Sequence, residues 1–187
     1  MKCSQVLRRV LYTWGTDTVG QLGQWDSNHT KRQDVLRPTI VESVKVCKIR
    51  DPIIHLLTAL QHIPMTGISC AAGFNCVVSI CGKAYSWGSM ATGQLGIGDV
   101  SGEFLQYSTL PLQIKMSHKR KIRQVSCGTS HAAAVTKAGE LFVWGCANGH
   151  RLGLGSKVKD CVHQPVYVNQ LRKHRVWQVF CRLLCQY

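Results

Sequence analysis

The sequence predicts an all-β protein made of small antiparallel sheets arranged around an axis, and three observations lead to that prediction. A Trp-Gly pair recurs at Trp14, Trp87 and Trp144. A proline follows each tryptophan at a similar distance, and the Cys-to-Trp spacing is 17 residues in both units that contain it. Short apolar stretches flank turn glycines in each unit. Repeats of this length with one aromatic marker per unit are typical of radial arrays of β-sheets.

Strands are predicted on either side of a tight turn in the second and third copies of the repeat. In "HAAAVTKAGELFVWG" the apolar stretch 131–135 predicts a buried strand, and Gly139 supplies the turn, as Gly82 does in the earlier copy. The residues that follow alternate, so Phe142 and Trp144 are expected to share one face of the next strand. Each marker tryptophan is expected to be largely buried.

A Gly-x-x-Gly pattern follows the tryptophans and is predicted to form a structural turn. Glycine suits such a turn because it accepts positive φ and lets another part of the chain approach closely. A phosphate-binding loop is the alternative, but no copy ends in the Gly-Lys-Ser/Thr of a P-loop or precedes a predicted helix. The marker glycines of this pattern are Gly20, Gly23, Gly93, Gly96 and Gly153.

The ten cysteines are predicted to be structural or free thiols. Cys70 and Cys127 are repeat markers inside apolar stretches, where cysteine acts as a small buried hydrophobe. The sequence has no Cys-x-x-Cys pair and no Cys/His spacing typical of a zinc finger. Disulfides or a metal site are the weaker alternative, and a reducing compartment is expected.

These motifs resemble those of the regulator of chromosome condensation repeat family. The resemblance lies in Trp-Gly followed by Gly-Gln-Leu-Gly in 14–23 and 87–96, and in the Cys-Gly-x-x-His of Cys127, Gly128 and His131. The family fold is a seven-bladed β-propeller. The units found here therefore imply a partial propeller of about three four-stranded antiparallel blades with a short helical insert. The founding member of the family is an exchange factor for the GTPase Ran that also docks on nucleosomes, and many other members are interaction modules.

The whole chain, 1–187, is predicted to form a single partial propeller with an insert at about 47–65. In the insert, apolar residues at helical spacing between Pro52 and Pro64 predict a helix, which either packs on a blade or docks a partner. Blade edges expose unpaired strand groups, so a three-blade arc is expected to be poorly soluble, to self-associate or to need blades from another chain. The repeat units are predicted near 10–43, 66–116 and 123–170.

The formal net charge of +14 is concentrated in one recurring loop. In each unit, basic residues lie 7 to 12 residues after the marker proline, which is Pro38, Pro111 or Pro165. Equivalent loops of a propeller share one side, which predicts a single basic face; solvated loops without a function are the alternative. A basic face favours polyanions such as nucleic acid or an acidic protein surface, without sequence specificity. Its candidate residues are Lys45, Lys48, Arg50, Lys119, Arg120, Lys121, Arg123, Arg172, Lys173 and Arg175.

Two functions remain open from the sequence. The first is a non-catalytic interaction module whose basic face binds an acidic partner: a nucleosome, a nucleic acid or a protein. The second, implied by the family resemblance, is guanine nucleotide exchange on a small Ran-like GTPase. Asp17, in the loop after Trp14, is the candidate GTPase-facing residue, but the loops after Trp87 and Trp144 carry no matching carboxylate.

No other enzymatic activity and no cofactor are expected. The sequence shows no nucleophile triad and no metal-ligand spacing, and His131 is predicted to be a buried residue bonded to the backbone rather than a general base. No stretch is long and apolar enough to span a membrane, and the N-terminus lacks the apolar region of a secretory signal. A nuclear or cytoplasmic protein, not a secreted one, is therefore expected.

Overall fold

The computed structural model describes residues 3–7, 10–16, 18, 22, 34–40, 64–98, 106–155, 158 and 160–182. Within these residues, strands form three antiparallel sheets, and the helical content consists of short 3-10 turns. The predicted all-β fold is confirmed. The predicted insert helix lies outside the described residues.

Each sheet is a meander in which every strand pairs with the next one in the sequence. The first sheet has three described strands: β1 (Cys3–Leu7), β2 (Val10–Thr16) and β3 (Asp34–Ile40). The second contains β4 (Met65–Cys70), β5 (Phe74–Ser79), β6 (Ala84–Ser89) and β7 (Tyr107–Gln113). The third contains β8 (Ile122–Cys127), β9 (His131–Thr136), β10 (Leu141–Cys146) and β11 (Cys161–Tyr167).

Each later sheet contacts the sheet before it through its own first strand, as neighbouring blades of a propeller do. Strand β4 contacts β1, and β8 contacts both β4 and β5. Strand β1 itself was not predicted, because it precedes the first Trp-Gly marker.

The three marker tryptophans lie at the same place in their sheets. Each stands in the strand before the last described one, where pairing with the next strand shifts register and forms a bulge. Trp87 and Trp144 are fully buried. The shifts fall between Thr13 and Gly15, between Ser86 and Gly88, and between Val143 and Gly145.

The main apolar core lies between the second and third sheets. Phe142 and Trp144 project into it from β10, as the alternation of that strand predicts. Ala132 and Ala134 of β9 line the same core, and their small side chains leave room for the aromatic rings. Val143 points the other way into a second apolar cluster, so both faces of β10 are buried.

A buried hydrogen bond joins the second sheet to the third. The indole Nε1 of Trp144 donates to the carbonyl oxygen of Gln94 at 2.9 Å. Gly96 makes this approach possible: its φ is +66°, and a Cβ built there would lie 2.7 Å from the indole Nε1. The Gly-Gln-Leu-Gly segment of the second sheet thus packs against Trp144 of the third sheet and accepts its hydrogen bond.

The same segment is held in shape by its glutamine and leucine. The side-chain Oε1 of Gln94 accepts from the backbone N–H of Thr92 at 2.8 Å, and its Nε2 donates to Ser89 Oγ at 3.1 Å. Leu95 is fully buried. These contacts are those of a structural turn, as the sequence predicted, rather than of a phosphate-binding loop.

We expect Trp144→Phe to lower the free energy of unfolding by about 1–3 kcal/mol, because the buried Gln94 carbonyl then loses its donor. Urea denaturation followed by circular dichroism measures the change. Trp177→Phe is the matched control, since that indole is 77% exposed. An equal loss in both variants would contradict the role of the indole bond.

Candidate functional site

The loops of the second and third sheets emerge on two opposite sides, as the meander topology requires. The turn between the second and third strands lies beside the segment that leaves the fourth strand. Ile122 N–H donates to the Gly82 carbonyl at 2.8 Å, and Val176 N–H donates to the Gly139 carbonyl at 2.9 Å. We name this side the linker face (80–83, 115–121, 137–140 and 169–175). The opposite side is the loop face (71–73, 90–98, 128–130 and 147–155).

Lys121 and Arg175 occupy equivalent places on the linker face. A Cβ built on Gly82 would lie 2.8 Å from the Cβ of Lys121, and one built on Gly139 would meet the side chain of Arg175. Both glycines have positive φ, as their tight turns require. Each basic residue therefore covers the turn glycine of the sheet that precedes it.

Five of the candidate basic residues on this face are exposed. Two segments hold them, one around the 3-10 turn Ser117–Lys119 and one after the 3-10 turn Asn169–Leu171. The second segment forms a shallow depression to which Asn169 and His174 also contribute. The exposed candidates are Lys119, Lys121, Arg172, Lys173 and Arg175.

Arg120 is held by the third sheet rather than free in solvent. Its Nε donates to Glu140 Oε2 at 2.8 Å, and its guanidinium lies 5.2 Å from the centre of the Phe142 ring. The hydrogen bond with Glu140 raises the pKa of Arg120 above its ordinary value. This arginine fixes the linker to the sheet and offers less charge to a partner.

Arg123 is likewise engaged within the chain. Its guanidinium lies 4.2 Å from the centre of the Trp177 ring, and its Nη2 donates to the Val176 carbonyl at 3.4 Å. Arg120 and Arg123 were both predicted from loop spacing to lie on the basic face. Both have intramolecular partners, which spacing alone does not show.

The exposed Lys115 of the linker face was missed by the sequence analysis, as were two further lysines of that face, Lys83 and Lys137. Both are exposed and stand beside the turn glycines of their sheets. The backbone N–H of Lys137 donates to the carbonyl of Lys121 at 2.8 Å, which brings the turn and the linker together. A search for lysine around Gly82 and Gly139 would have found them.

Several candidates lie outside the described residues. They are Lys45, Lys48 and Arg50 of the first unit, the acidic candidate Asp17, and the glycines Gly20 and Gly23.

His131 is a packing residue on the loop side of β9. It is buried, and its ring lies against Gly128 so closely that a Cβ at that glycine would collide with the imidazole. Its Nδ1 is buried without a hydrogen-bond partner in the described part of the chain, so the predicted bond to the backbone is not seen at that atom. In the second sheet the motif reads Ala71 and Phe74, an apolar pair at the same positions.

Burial, followed by the charge of Arg151, lowers the pKa of His131 below its ordinary value of 6.5. The fold therefore disfavours protonation of this imidazole. Because the ring is buried and packed against Gly128, a substrate would have little access to its nitrogen atoms.

Seven cysteines whose side chains the structure describes carry free thiols: Cys70, Cys76, Cys81, Cys127, Cys146, Cys161 and Cys181. Burial, and then Cys76, raise the pKa of Cys127 well above its ordinary value, which makes that thiol a poor nucleophile. The backbone N–H of Cys127 donates to Ser69 Oγ of the neighbouring sheet at 2.9 Å. No group of metal-ligating side chains occurs among the described residues.

A family model described as "Regulator of chromosome condensation (RCC1) repeat" matches residues 82–135 and 138–181. The chain belongs to the RCC1 repeat family. A second RCC1 repeat model matches 122–151. The family resemblance inferred from the Trp-Gly and Gly-Gln-Leu-Gly motifs is confirmed.

Two curated relatives share these repeats. The chain is 31% identical over 160 residues to the X-linked retinitis pigmentosa GTPase regulator of Canis lupus familiaris, a match covering 86% of this chain and 14% of the relative. It is 30% identical over 156 residues to the ultraviolet-B receptor UVR8 of Arabidopsis thaliana, covering 83% of this chain and 30% of the relative. The chain thus spans less than a third of the length of either protein.

Solved structures share the fold. Prp20p of Saccharomyces cerevisiae superposes with a TM-score of 0.74 at 20% identity, covering 97% of this chain and 40% of that one. Human WBSCR16 superposes with a TM-score of 0.69 at 24% identity, covering 97% and 40%. Within the described residues, no helix has the length and apolar content needed to cross a membrane.

We expect the stability of the protein to fall as the pH drops below about 6.5, because the unfolded chain then protonates His131 while the folded chain resists it. His131→Phe, which restores the residue type of the second sheet, should weaken this dependence. Urea denaturation at pH 7.5 and 5.5 measures both free energies. His174→Phe is the control, since that side chain is exposed; an unchanged pH dependence in His131→Phe would contradict the assignment.

Proposed function

We propose that this RCC1 repeat chain is a non-catalytic interaction module whose linker face binds an acidic partner: a nucleosome, a nucleic acid or an acidic protein surface. The observation that carries the proposal is the equivalent placement of Lys121 and Arg175 over the turn glycines of successive sheets. Two linkers that hold exposed cations in the same place give one charged surface rather than scattered loops. We expect the protein in the nucleus or the cytoplasm.

The charge of this face supports a polyanionic partner. Lys83 and Lys137 add to the five exposed candidates, while Glu140, the acidic residue of the 137–140 turn, is already paired with Arg120. Exposed cations that bind the phosphates of a nucleic acid release its condensed counterions, which gives affinity without base readout.

The relatives support a protein-binding role in general terms. Prp20p, the yeast RCC1, is described by its binding to Gsp1p and histones and by its complex with Kap60. Those partners belong to that protein. For this chain they support protein recognition as the function class, and its net charge of +14 favours acidic surfaces among possible partners.

Guanine nucleotide exchange on a small Ran-like GTPase is the second candidate, and the binding of Prp20p to Gsp1p favours it. Segments 89–92 and 146–150 on the loop face contain no carboxylate, which leaves Asp17 as the candidate acidic contact. Release of labelled GDP from Ran tests this function directly. Acceleration by the purified protein, lost in Asp17→Asn, would establish exchange in place of the interaction module.

We expect Lys121→Gln and Arg175→Gln each to weaken binding to duplex DNA, because each removes an exposed cation of the linker face. Each lost phosphate contact should reduce the slope of log K against log salt by about 0.9. Fluorescence anisotropy at several salt concentrations, with two unrelated DNA sequences, measures affinity and slope. The loss should be the same for both sequences.

Arg151→Gln is the matched control, because it removes the same charge from the loop face. It should leave the slope unchanged. A wild-type affinity that stays flat as salt rises, or an equal loss in the control, would overturn the linker face as the binding surface.

A further inference from the structure

Two cysteines face each other across the last two strands of the third sheet. Cys146 ends β10, Cys161 begins β11, and the two are direct partners in the register of the pair. They stand at the base of the segment 147–155 of the loop face. Cys146 is buried, whereas Cys161 is partly exposed.

The hydrogen bonds around this pair define its geometry. Ala147 N–H donates to the Asp160 carbonyl at 2.7 Å, and Cys146 N–H points away from β11, donating to the Ser130 carbonyl at 2.8 Å. Because bonded and non-bonded pairs alternate along an antiparallel ladder, Cys146 and Cys161 form a non-hydrogen-bonded pair. The Cα atoms of such a pair are about 4.5 Å apart, within the span of about 4.4–6.8 Å that a disulfide bridges.

The repeat itself does not require cysteine at these positions. In the second sheet the equivalent partners are Ser89 and Tyr107. In the first sheet they are Thr16 and Asp34. Only in the third sheet do the described pairs place a thiol at both positions, so the pair is a local addition to the fold and not one of its packing markers.

We propose that Cys146 and Cys161 are a redox-responsive modification site whose thiols form a reversible intramolecular disulfide when a peroxide is the oxidant. The Cys161 thiolate attacks one peroxide oxygen, the O–O bond breaks, and a sulfenic acid and one water result. The Cys146 thiolate then attacks that sulfur and displaces the hydroxyl as a second water. One peroxide is reduced and two thiols are oxidised to one disulfide.

Cys161 is the thiol that meets the oxidant first, because it is the more exposed of the two. Burial, the neighbouring Cys146 and Asp160 raise its pKa above the ordinary value, so little thiolate is present at neutral pH. Oxidation is therefore slow near pH 7 and accelerates as the pH rises.

The disulfide would join the two strands beside the segment 147–155 of the loop face. That segment carries Arg151, whose Nη1 donates to Ser130 Oγ at 3.0 Å, and Leu152, which is buried. Closure therefore restrains the loop face. The linker face lies on the opposite side of the sheet, so its affinity for duplex DNA is expected to stay the same after oxidation.

The test is non-reducing peptide mapping of the full chain in a Cys81→Ser background, which removes an exposed thiol whose pKa a hydrogen bond with Ser79 lowers. The protein is treated with hydrogen peroxide, alkylated, and digested with trypsin, which cleaves after Arg151 and Lys159 and so separates the two cysteines. We expect peptides 138–151 and 160–172 to be linked, about 2 Da lighter than their sum, and to separate on reduction.

Cys146→Ser, which restores the residue type of the second sheet, and Cys161→Ser should each abolish the linked species. The rate of linkage should rise between pH 7 and pH 8.5. Recovery of the two cysteines as separate alkylated or over-oxidised peptides would overturn the proposal. So would a link formed between two chains, which mixing of isotopically labelled and unlabelled protein reveals. The map of the Cys81→Ser protein, in which Cys146 and Cys161 are both present, decides the question even if a further variant fails to fold.

Discussion

The indole N–H of Trp144 donates to the carbonyl of Gln94, and this buried bond, together with the apolar core around it, fixes the mutual position of the second and third sheets. The bond forms only because Gly96 brings the backbone against the ring. Once the two sheets are held in this orientation, the linker between them must pass over the turn of the second sheet. Lys121 is therefore set against Gly82 by the packing of the core, and not by a charge interaction of its own.

The same contacts recur along the chain, which explains why the basic residues share a face. Cys127 N–H donates to Ser69 Oγ at 2.9 Å, and Cys181 N–H donates to Ser126 Oγ at 2.8 Å. The segment around Cys181 thus lies against the third sheet as β8 lies against the second. Arg175 precedes this segment as Lys121 precedes β8. Basic residues at the same position of successive repeats therefore lie on the same side of the protein.

The period of the repeat allows the fold and the linker face to be predicted from the sequence. It does not predict which side chains contact each other over long distances in the chain. Spacing predicts strands, turns and the common position of Lys121 and Arg175, because these follow from local pattern and repetition. It does not predict that Arg120 pairs with Glu140 or that Arg123 stacks on Trp177. Those partners are set by how strands and linkers pack after folding, which no spacing rule encodes.

The central claim is that an acidic partner lies on the linker face, and hydrogen–deuterium exchange with and without duplex DNA tests it most directly. Protection reports which backbone amides a ligand covers or stabilises. The account predicts slower exchange in 115–123 and 169–176 when DNA is bound, with 90–98 and 147–155 unchanged. Protection confined to 90–98 and 147–155 would place the partner on the loop face and contradict the account.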